Sequence, residues 1–426
     1  MPRICQYGLP VTHMVASKRR PLRAIVAIAC ASIGITVPGI AFSQDLAEMA
    51  ATAPATLHEA TARAIERLPD TAAYQALRDQ VAVQLRAARG PFVGPPVVRG
   101  DILSSSAGLI EQEASVSASI RWPGEGRAQR LAADRGGAVV DASLDEARLL
   151  LAGEVRTAWW ALASALAVVA VEREQIASAD LELAQVGRLV SAGEQSQRDL
   201  LIARGERGAV QARLLAAEAQ LISTQAAYET LAGSPPEQFS PEAATQPTSI
   251  DEHPVVRATM ARAAAAEARA GALRYSSRPR VQGSVGVRRE RIDARGDYAN
   301  ALTLGVAVPL GRNPTALADM AGARAEPIRA TAEATRVRSR LIADRAAAGR
   351  RIEIADRALS EAQKRRDALA QALELTARGR REGEIGYIEF LRARQSLAAA
   401  ERDLAIARVA AFAAISTFNQ SQGVLP

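Results

Sequence analysis

The feature that most constrains this chain is a break that it makes twice. AGEQSQRDLLIAR (192–204) interrupts one long stretch rich in Ala, Arg, Leu and Glu, and EGEIGYIEFLRAR (382–394) interrupts a second one. Both carry Gly-Glu at the break, an acid six places after the Gly (Asp199, Glu389), then Leu and Ala-Arg in register (Leu201 with Leu391, Ala203-Arg204 with Ala393-Arg394). The stretches ahead of the breaks, 126–190 and 312–381, contain 65 and 70 residues. If helical throughout, each would be about 100 Å long. Two rods of that length with matching turns exclude an ordinary globular core.

A repeat fixes architecture before any local assignment. Leu68-Pro69-Asp70 opens a helical run in the first half and His253-Pro254-Val255 opens one in the second, with Asp251 or His253 as cap and Pro254 in the first turn. Each run leads to a strand-like region, a very long helix, the Gly-Glu break and a shorter helix. The expected organisation is a first repeat over 44–233 (strand pair about 96–122, tip about 191–198), a linker over 234–252, and a second repeat over 253–426 (strand pair about 280–310, tip about 381–388). Leu149, Ala152, Val155, Trp159, Leu162, Leu166 and Val169 form a narrow apolar stripe flanked by small residues, which suits helices packed closely side by side. Glu194–Ala232 and Val255–Tyr275 supply 39 and 21 helical residues, close together to the long partner's 65, which predicts two short helices head to tail beside one long one. Gly136-Gly137 and Pro327 mark expected irregularities near the starts of the long helices.

Only 4% of the 426 residues are aromatic, which also favours long helices over a thick core. The formal charge is +7, but Arg3, Lys18, Arg19, Arg20 and Arg23 fall within residues 1–43, which contain no acid; without those five the charge is +2. Lys18-Arg19-Arg20, the apolar run Ala24–Ile35 and Ala41-Phe42-Ser43 make residues 1–43 a secretory signal peptide, with Met14 as an alternative start and Cys30 in a context readable as a lipidation site. The basic balance is thus a targeting effect and predicts no nucleic-acid partner. Cys5 and Cys30 both lie in this segment, so the mature chain has no thiolate for a disulfide or metal site.

Beyond the signal, no stretch reaches the roughly 18 uninterrupted apolar residues of a membrane helix. Period-two alternation does occur. Val116, Ala118, Ile120 and Trp122 oppose Ser115, Ser117, Ser119 and Arg121; Val281, Val285 and Val287 oppose Gln282, Ser284 and Arg288; Leu302, Leu304, Val306, Val308 and Leu310 oppose Ala301, Thr303, Gly305 and Ala307. A fourth segment, Val97–Leu103, is weaker. The pattern fits outer-membrane barrel strands and, equally, half-buried hairpins of a soluble sheet. Four strands cannot close a barrel, so if they span a membrane, several chains share one.

The duplicated order of helix, strand pair, long helix, Gly-marked tip and shorter helix resembles the TolC-type outer-membrane efflux protein family over essentially the whole mature chain. The resemblance is carried by the two helix starts, by SASIRWPGEGRAQR (117–130) and LTLGVAVPLGRN (302–313) where a strand enters a long helix, and by the two tips. The short tips look most like the branch serving cobalt-zinc-cadmium efflux pumps. The resemblance implies a mainly α chain with transmembrane β: a homotrimer whose four strands per chain make one twelve-stranded barrel in the outer membrane, continued by a periplasmic helical tunnel. It implies a passive export duct without catalysis or cofactor, served by a periplasmic adaptor (membrane fusion) protein and an inner-membrane pump of the resistance-nodulation-division type. Gly193, Glu194, Gly383, Glu384 and Tyr387 would then form tunnel tips and adaptor-docking surface, and Glu389, Arg392 and Asp199 the pore gate. Where the family often has a second acid three residues after Glu389, this chain has Arg392.

The remaining motifs are bland. His58 and His253 stand near helix starts and read as caps or surface residues. Gly283-Ser-Val-Gly lacks the context of a dinucleotide fingerprint, and Arg350-Arg351 and Lys364-Arg365-Arg366 alternate with acids as on a solvated helix face. Arg198, Arg378, Arg380 and Arg381 flank the tips as docking, gate or plain surface charges. Two other classes compete with the duct: a periplasmic coiled-coil adaptor, which requires a single hairpin flanked by soluble β-domains, and a coiled-coil scaffold, which requires no strands.

Overall fold

A computed structural model describes residues 56–67, 71–105, 109–291, 295–311 and 314–426. The signal-peptide assignment, Cys30, the Leu68-Pro69-Asp70 helix start and the end of the 302–313 motif lie outside them.

Two helices, α1 (Leu57–Glu66) and α2 (Thr71–Ala87), precede the strands β1 (Phe92–Ser104) and β2 (Ile110–Ile120). The long helix α3 (Glu125–Ser191) then turns into α4 (Gln197–Ala232). After a strap ending in a short 3-10 turn (Ile250–Glu252), the order runs again: α5 (Pro254–Leu273), β3 (Gln282–Arg291), β4 (Ala299–Ala307), α6 (Pro314–Ala323), α7 (Ala325–Arg381) and α8 (Tyr387–Gln422).

α3 runs unbroken for 67 residues, so the irregularity expected at Gly136-Gly137 does not occur. Each glycine costs about 1 kcal/mol in a helix interior, too little to break a rod flanked by strong helix formers. Gly137 instead lets α2 approach, since a Cβ there would lie 3.4 Å from Val81. The second long run does break, but at Arg324 and not at Pro327. Pro327 occupies the third position of α7, where its missing N–H has no intrahelical acceptor to lose. His253 caps α5, its ring Nδ1 accepting from the Val255 N–H at 3.3 Å, and Pro254 follows in the first turn.

The head-to-tail arrangement is present. Arg207 of α4 meets Asp180 at 2.9 Å, and Arg257 of α5 meets Asp145 at 3.4 Å, so α4 and α5 follow one another antiparallel along α3. Partway along the rods lies the main core. Trp159 is fully buried, edge-on to Phe239 of the strap at 5.1 Å and tilted against Tyr228 of α4. Trp160 stacks on Phe412 of α8 and donates its Nε1–H to Ser416 at 2.7 Å. Leu57, Ala60 and Ala64 of α1 close this cluster. The strap is held at several points: Arg156 pairs with Glu242 at 2.8 Å, the Asn419 amide donates to the Ala243 carbonyl at 2.9 Å, and Arg345 donates to the Thr248 carbonyl at 2.8 Å. Among the described helices α3 alone is long and apolar enough to cross a membrane by length and composition. Its Leu149, Val155, Trp159, Leu162 and Val169 are buried inside the bundle, as in the core helix of a protein.

All four strands form one antiparallel sheet in the order β1-β2-β3-β4, with the halves of the chain joined at β2–β3. β1, the weakest strand by pattern, is the longest at 13 residues. Pro95 and Pro96 obscure its alternation, and they sit where the register slips between Val93 and Val97, a bulge that spares the ladder their missing N–H groups. At the sheet's base the buried Glu125, at the start of α3, pairs with Arg280 at 2.9 Å, tying the two halves together.

Candidate functional site

Each tip is a tight helix stop followed by a helix start. At the first, Gly193 has φ +78°, its N–H bonds the Val190 carbonyl, and the Glu194 N–H reaches back to Leu189 at 2.9 Å. At the second, Gly383 has φ +81°, its N–H bonds Arg380, and Glu384 reaches back to Gly379 at 2.9 Å. These are the paired bonds of a Schellman stop, which needs a left-handed residue, and glycine adopts that conformation without a Cβ penalty. The shared Gly-Glu therefore records shared geometry. Glu194 and Glu384 are exposed at the ends of the hairpins.

Asp199 and Glu389 occupy the same third position of α4 and α8. A carboxylate there faces the positive end of the helix dipole. The starts differ: Ser196 caps α4 by accepting from the Asp199 N–H, whereas Gly386 gives α8 no side-chain cap. Glu389 and Arg392 are exposed.

Tyr387 joins the two tips. It is 6% exposed and packs with Val186 of α3 and Ala203 of α4, with Leu183, Leu200 and Phe390 around them. Arg380 lies over the Tyr387 ring at 4.9 Å and over Phe390 at 4.5 Å, and pairs with Glu182 of α3 at 2.8 Å. The Tyr387 hydroxyl is buried without a hydrogen-bond partner. Burial, then the nearby Glu182 and Asp199 carboxylates, raise its pKa, partly offset by Arg380 and Arg394. The structure thus packs Tyr387 against both α3 and α4, with the Asp199 carboxylate near enough to act on its hydroxyl. Arg380 proves to be a bridge between hairpins, a role the sequence left open, and its partner Glu182 was not singled out. The only signal for Glu182 was an acid placed opposite a tip arginine once both hairpins are drawn antiparallel.

At the other end, the sheet separates its side chains sharply. One face shows Val98, Val116, Val285 and Leu304 in one row and Gly100, Ala114, Val287 and Leu302 in the next. Val98 and Leu304 are 76% and 77% exposed. Between these rows the other face shows Arg99, Ser115, Gly286 and Thr303, flanked by Val97, Ser117, Ser284 and Gly305. A sheet that leaves its aliphatic face bare and its small and polar face opposite is built to put hydrocarbon on one side and water on the other.

Residues 247–419 match the outer membrane efflux protein family. No curated protein matches the sequence. Among solved structures, the chain is similar to the outer membrane protein VceC from Vibrio cholerae, with 17% identity and a TM-score of 0.71 over 86% of this chain and 96% of that one. CusC is similar at 16% identity and a TM-score of 0.73, over 86% of this chain and 92% of that one. The Neisseria gonorrhoeae MtrE outer membrane channel, in its open state, is similar at 18% identity and a TM-score of 0.69, over 87% and 89%. The fold is that of outer membrane efflux channels. Neither competing class fits it: a scaffold would lack the sheet, and an adaptor would have one hairpin where this chain has two.

Proposed function

We propose that this chain is the outer membrane channel component of a tripartite efflux system, a passive duct for substrate handed over by an inner-membrane pump through a periplasmic adaptor. The observation that carries this reading is the sheet: four strands with one bare aliphatic face, one small polar face and, at β1 and β4, two open edges. Open edges cannot persist in hydrocarbon, because each unpaired backbone group there costs several kcal/mol. Copies of the chain must therefore pair β4 with β1, and three copies give the twelve strands that the family resemblance implies. The aliphatic face meets lipid, the Ser, Gly and Thr face lines the pore, and the helical hairpins extend into the periplasm.

In this reading the tips form the periplasmic mouth. Gly193, Glu194, Gly383 and Glu384 present the surface for an adaptor, Tyr387 and Asp199 hold one hairpin against the other, and Glu389 and Arg392 face the constriction. Three copies of Glu389 near one axis would select by charge sign. Membership in the cobalt-zinc-cadmium branch rests on the compact tips, five residues each between helices (192–196 and 382–386). The pump, not the duct, then chooses the cargo.

The test is fractionation followed by cross-linking of the detergent-extracted protein. Recovery in the outer membrane as a trimer is expected. A monomer, or a protein released with the soluble periplasm, would falsify the duct.

A further inference from the structure

We infer that Arg289 and Arg291, braced by Tyr298, form a binding site on the outside of the sheet for the phosphate of a phosphorylated lipid. The inference rests on the reading of the sheet as a barrel segment, whose aliphatic face meets the membrane.

The register carries the argument. Along β3, residues 285, 287, 289 and 291 share the aliphatic face, and 304, 302 and 300 lie on the same face of β4, with the Tyr298 ring just before β4 set against Arg289 and Arg291. Moving away from the helices, the rows Val285–Leu304 and Val287–Leu302 give way to Arg289 opposite Asn300, and then to Arg291 beside Tyr298. On β3 and the segment beside it the change from aliphatic to cationic thus occurs at one level, at the hairpin ends, while Ile102 and Ile110 carry the aliphatic rows of β1 and β2 to that level.

Charge is divided between the faces just as sharply. The strand acids Asp101, Glu111, Glu113 and Glu290 all lie on the opposite, pore-side face, where Arg288 pairs with Glu111 and lies 3.6 Å from Glu290. Among the described strand residues the aliphatic face carries no acid. Arg289 and Arg291 are held instead by an aromatic ring, with their guanidinium carbons 4.0 Å and 5.2 Å from the Tyr298 centroid. The Arg291 Nε is buried without a hydrogen-bond partner. A stacked guanidinium keeps its in-plane N–H groups free, and that planar fork matches two oxygens of a phosphate. Two forks on alternate residues of one strand, with no carboxylate on their face among the described strand residues, suit a dianionic headgroup.

A lipid is favoured over a soluble anion because the aliphatic rows continue directly from the arginines. One molecule can place phosphate on Arg289 and Arg291 and lay acyl chains along Val287, Leu302, Val285 and Leu304, whereas free phosphate uses only the first half of the site. In the proposed orientation these hairpin ends point out of the cell, so the lipid belongs to the outer leaflet.

The test is native mass spectrometry of the full-length protein extracted in detergent and mixed with diphosphorylated lipid A, with fully dephosphorylated lipid A, or with diphosphorylated lipid A in excess inorganic phosphate. The wild-type protein should retain diphosphorylated lipid A and lose most of that retention with the dephosphorylated form. Arg289→Gln with Arg291→Gln should weaken retention of the phosphorylated lipid roughly thirty-fold, the effect of two interfacial charges. Excess inorganic phosphate should displace little of it; complete displacement would mean an anion site and overturn the lipid assignment. Equal retention of both lipids by the wild-type protein would overturn the site without need of any variant. Loss of outer-membrane fractionation in the wild type would defeat the duct reading itself, a separate result from a trimer that fractionates correctly and ignores phosphate.

Discussion

The two long helices share one plan and are buried to opposite degrees. α3 buries eighteen of its 67 residues, while α7 buries two of its 57, Ala348 and Gly379. α3 packs against α1, α2, α4, α5 and α8, whereas α7 meets chiefly α5 and α8. On its free side α7 shows Ile328, Ile354 and Leu375, each more than 60% exposed. The same architectural unit thus becomes core or surface according to its neighbours. In the proposed trimer the bare side of α7 is where another copy would pack. If so, damage to α3 acts on the single chain, and damage to α7 acts mainly on assembly.

The largest expected difference is between two arginines at similar heights on the two helices. Arg156 of α3 is 3% exposed and holds the Glu242 carboxylate, the Gln420 side chain and the Val424 carbonyl. Arg156→Ala removes the partner of a carboxylate whose side chain is only 11% exposed and should cost about 3 kcal/mol. Arg345 of α7 bonds only neutral groups, the Ser421, Thr248 and Gln422 carbonyls and the Thr248 hydroxyl, and is half-buried. Arg345→Ala should cost less, about 1–3 kcal/mol. Denaturant midpoints of the two variants measure this, and equal losses would mean that burial is not what separates the hairpins.

Acid should act at the joint where the second half of the chain begins. His253 is 3% exposed, and its pKa is lowered to about 4, first by burial and then by the Arg345 charge. A group whose folded pKa is depressed contributes stability that is present above its unfolded value near 6.5 and lost as pH falls towards its folded value. Stability should therefore fall by up to about 3 kcal/mol between pH 6.5 and 4. His253→Asn, which retains a side-chain cap for α5, should flatten that part of the thermal midpoint profile. An unchanged slope in the variant would assign the acid loss to other groups.

Periodicity and the repeat made much of this fold legible, because α3, α4, α5 and α8 each carry helix formers up to a Gly or Pro boundary. The strand faces were legible for the same reason, from Val285 and Val287 to Leu302 and Leu304. β1 was underread because Pro95 and Pro96 break its alternation inside a bulge. The break at Arg324 was missed because the residue itself has no helix-stopping chemistry. At the tips, the matching Gly-Glu signalled the turns, but the Arg380–Glu182 bridge depends on which helix faces which. Sequence spacing along one chain does not contain that information.

Tyr387 sharpens the comparison at the tips, since the matching residue of the first copy, Gln197, is exposed. The Tyr387 hydroxyl is buried without a partner, so its removal relieves a desolvation cost while keeping the ring against Val186 and Ala203. Tyr387→Phe should leave stability unchanged or raise it by up to about 1 kcal/mol, as read from the denaturant midpoint. A loss of that size would mean that the hydroxyl finds an acceptor in the assembled protein.

The smallest effect on stability and the most direct one on transport should come from the matched acids. Glu389 is exposed, so Glu389→Ala should change the midpoint by no more than about 0.5 kcal/mol. Asp199 is half-buried at the start of α4 and its charge acts on the Tyr387 hydroxyl, so Asp199→Ala should alter the surroundings of the contact between hairpins as well as the charge. In planar bilayers, Glu389→Ala should lower the cation preference of single channels without altering the trimer, and added salt should shrink the difference by screening the exposed carboxylates. Asp199→Ala should change the open probability more than the selectivity. If both variants alter the same property equally, the two copies of the tip are interchangeable, and the second has no special claim to the gate.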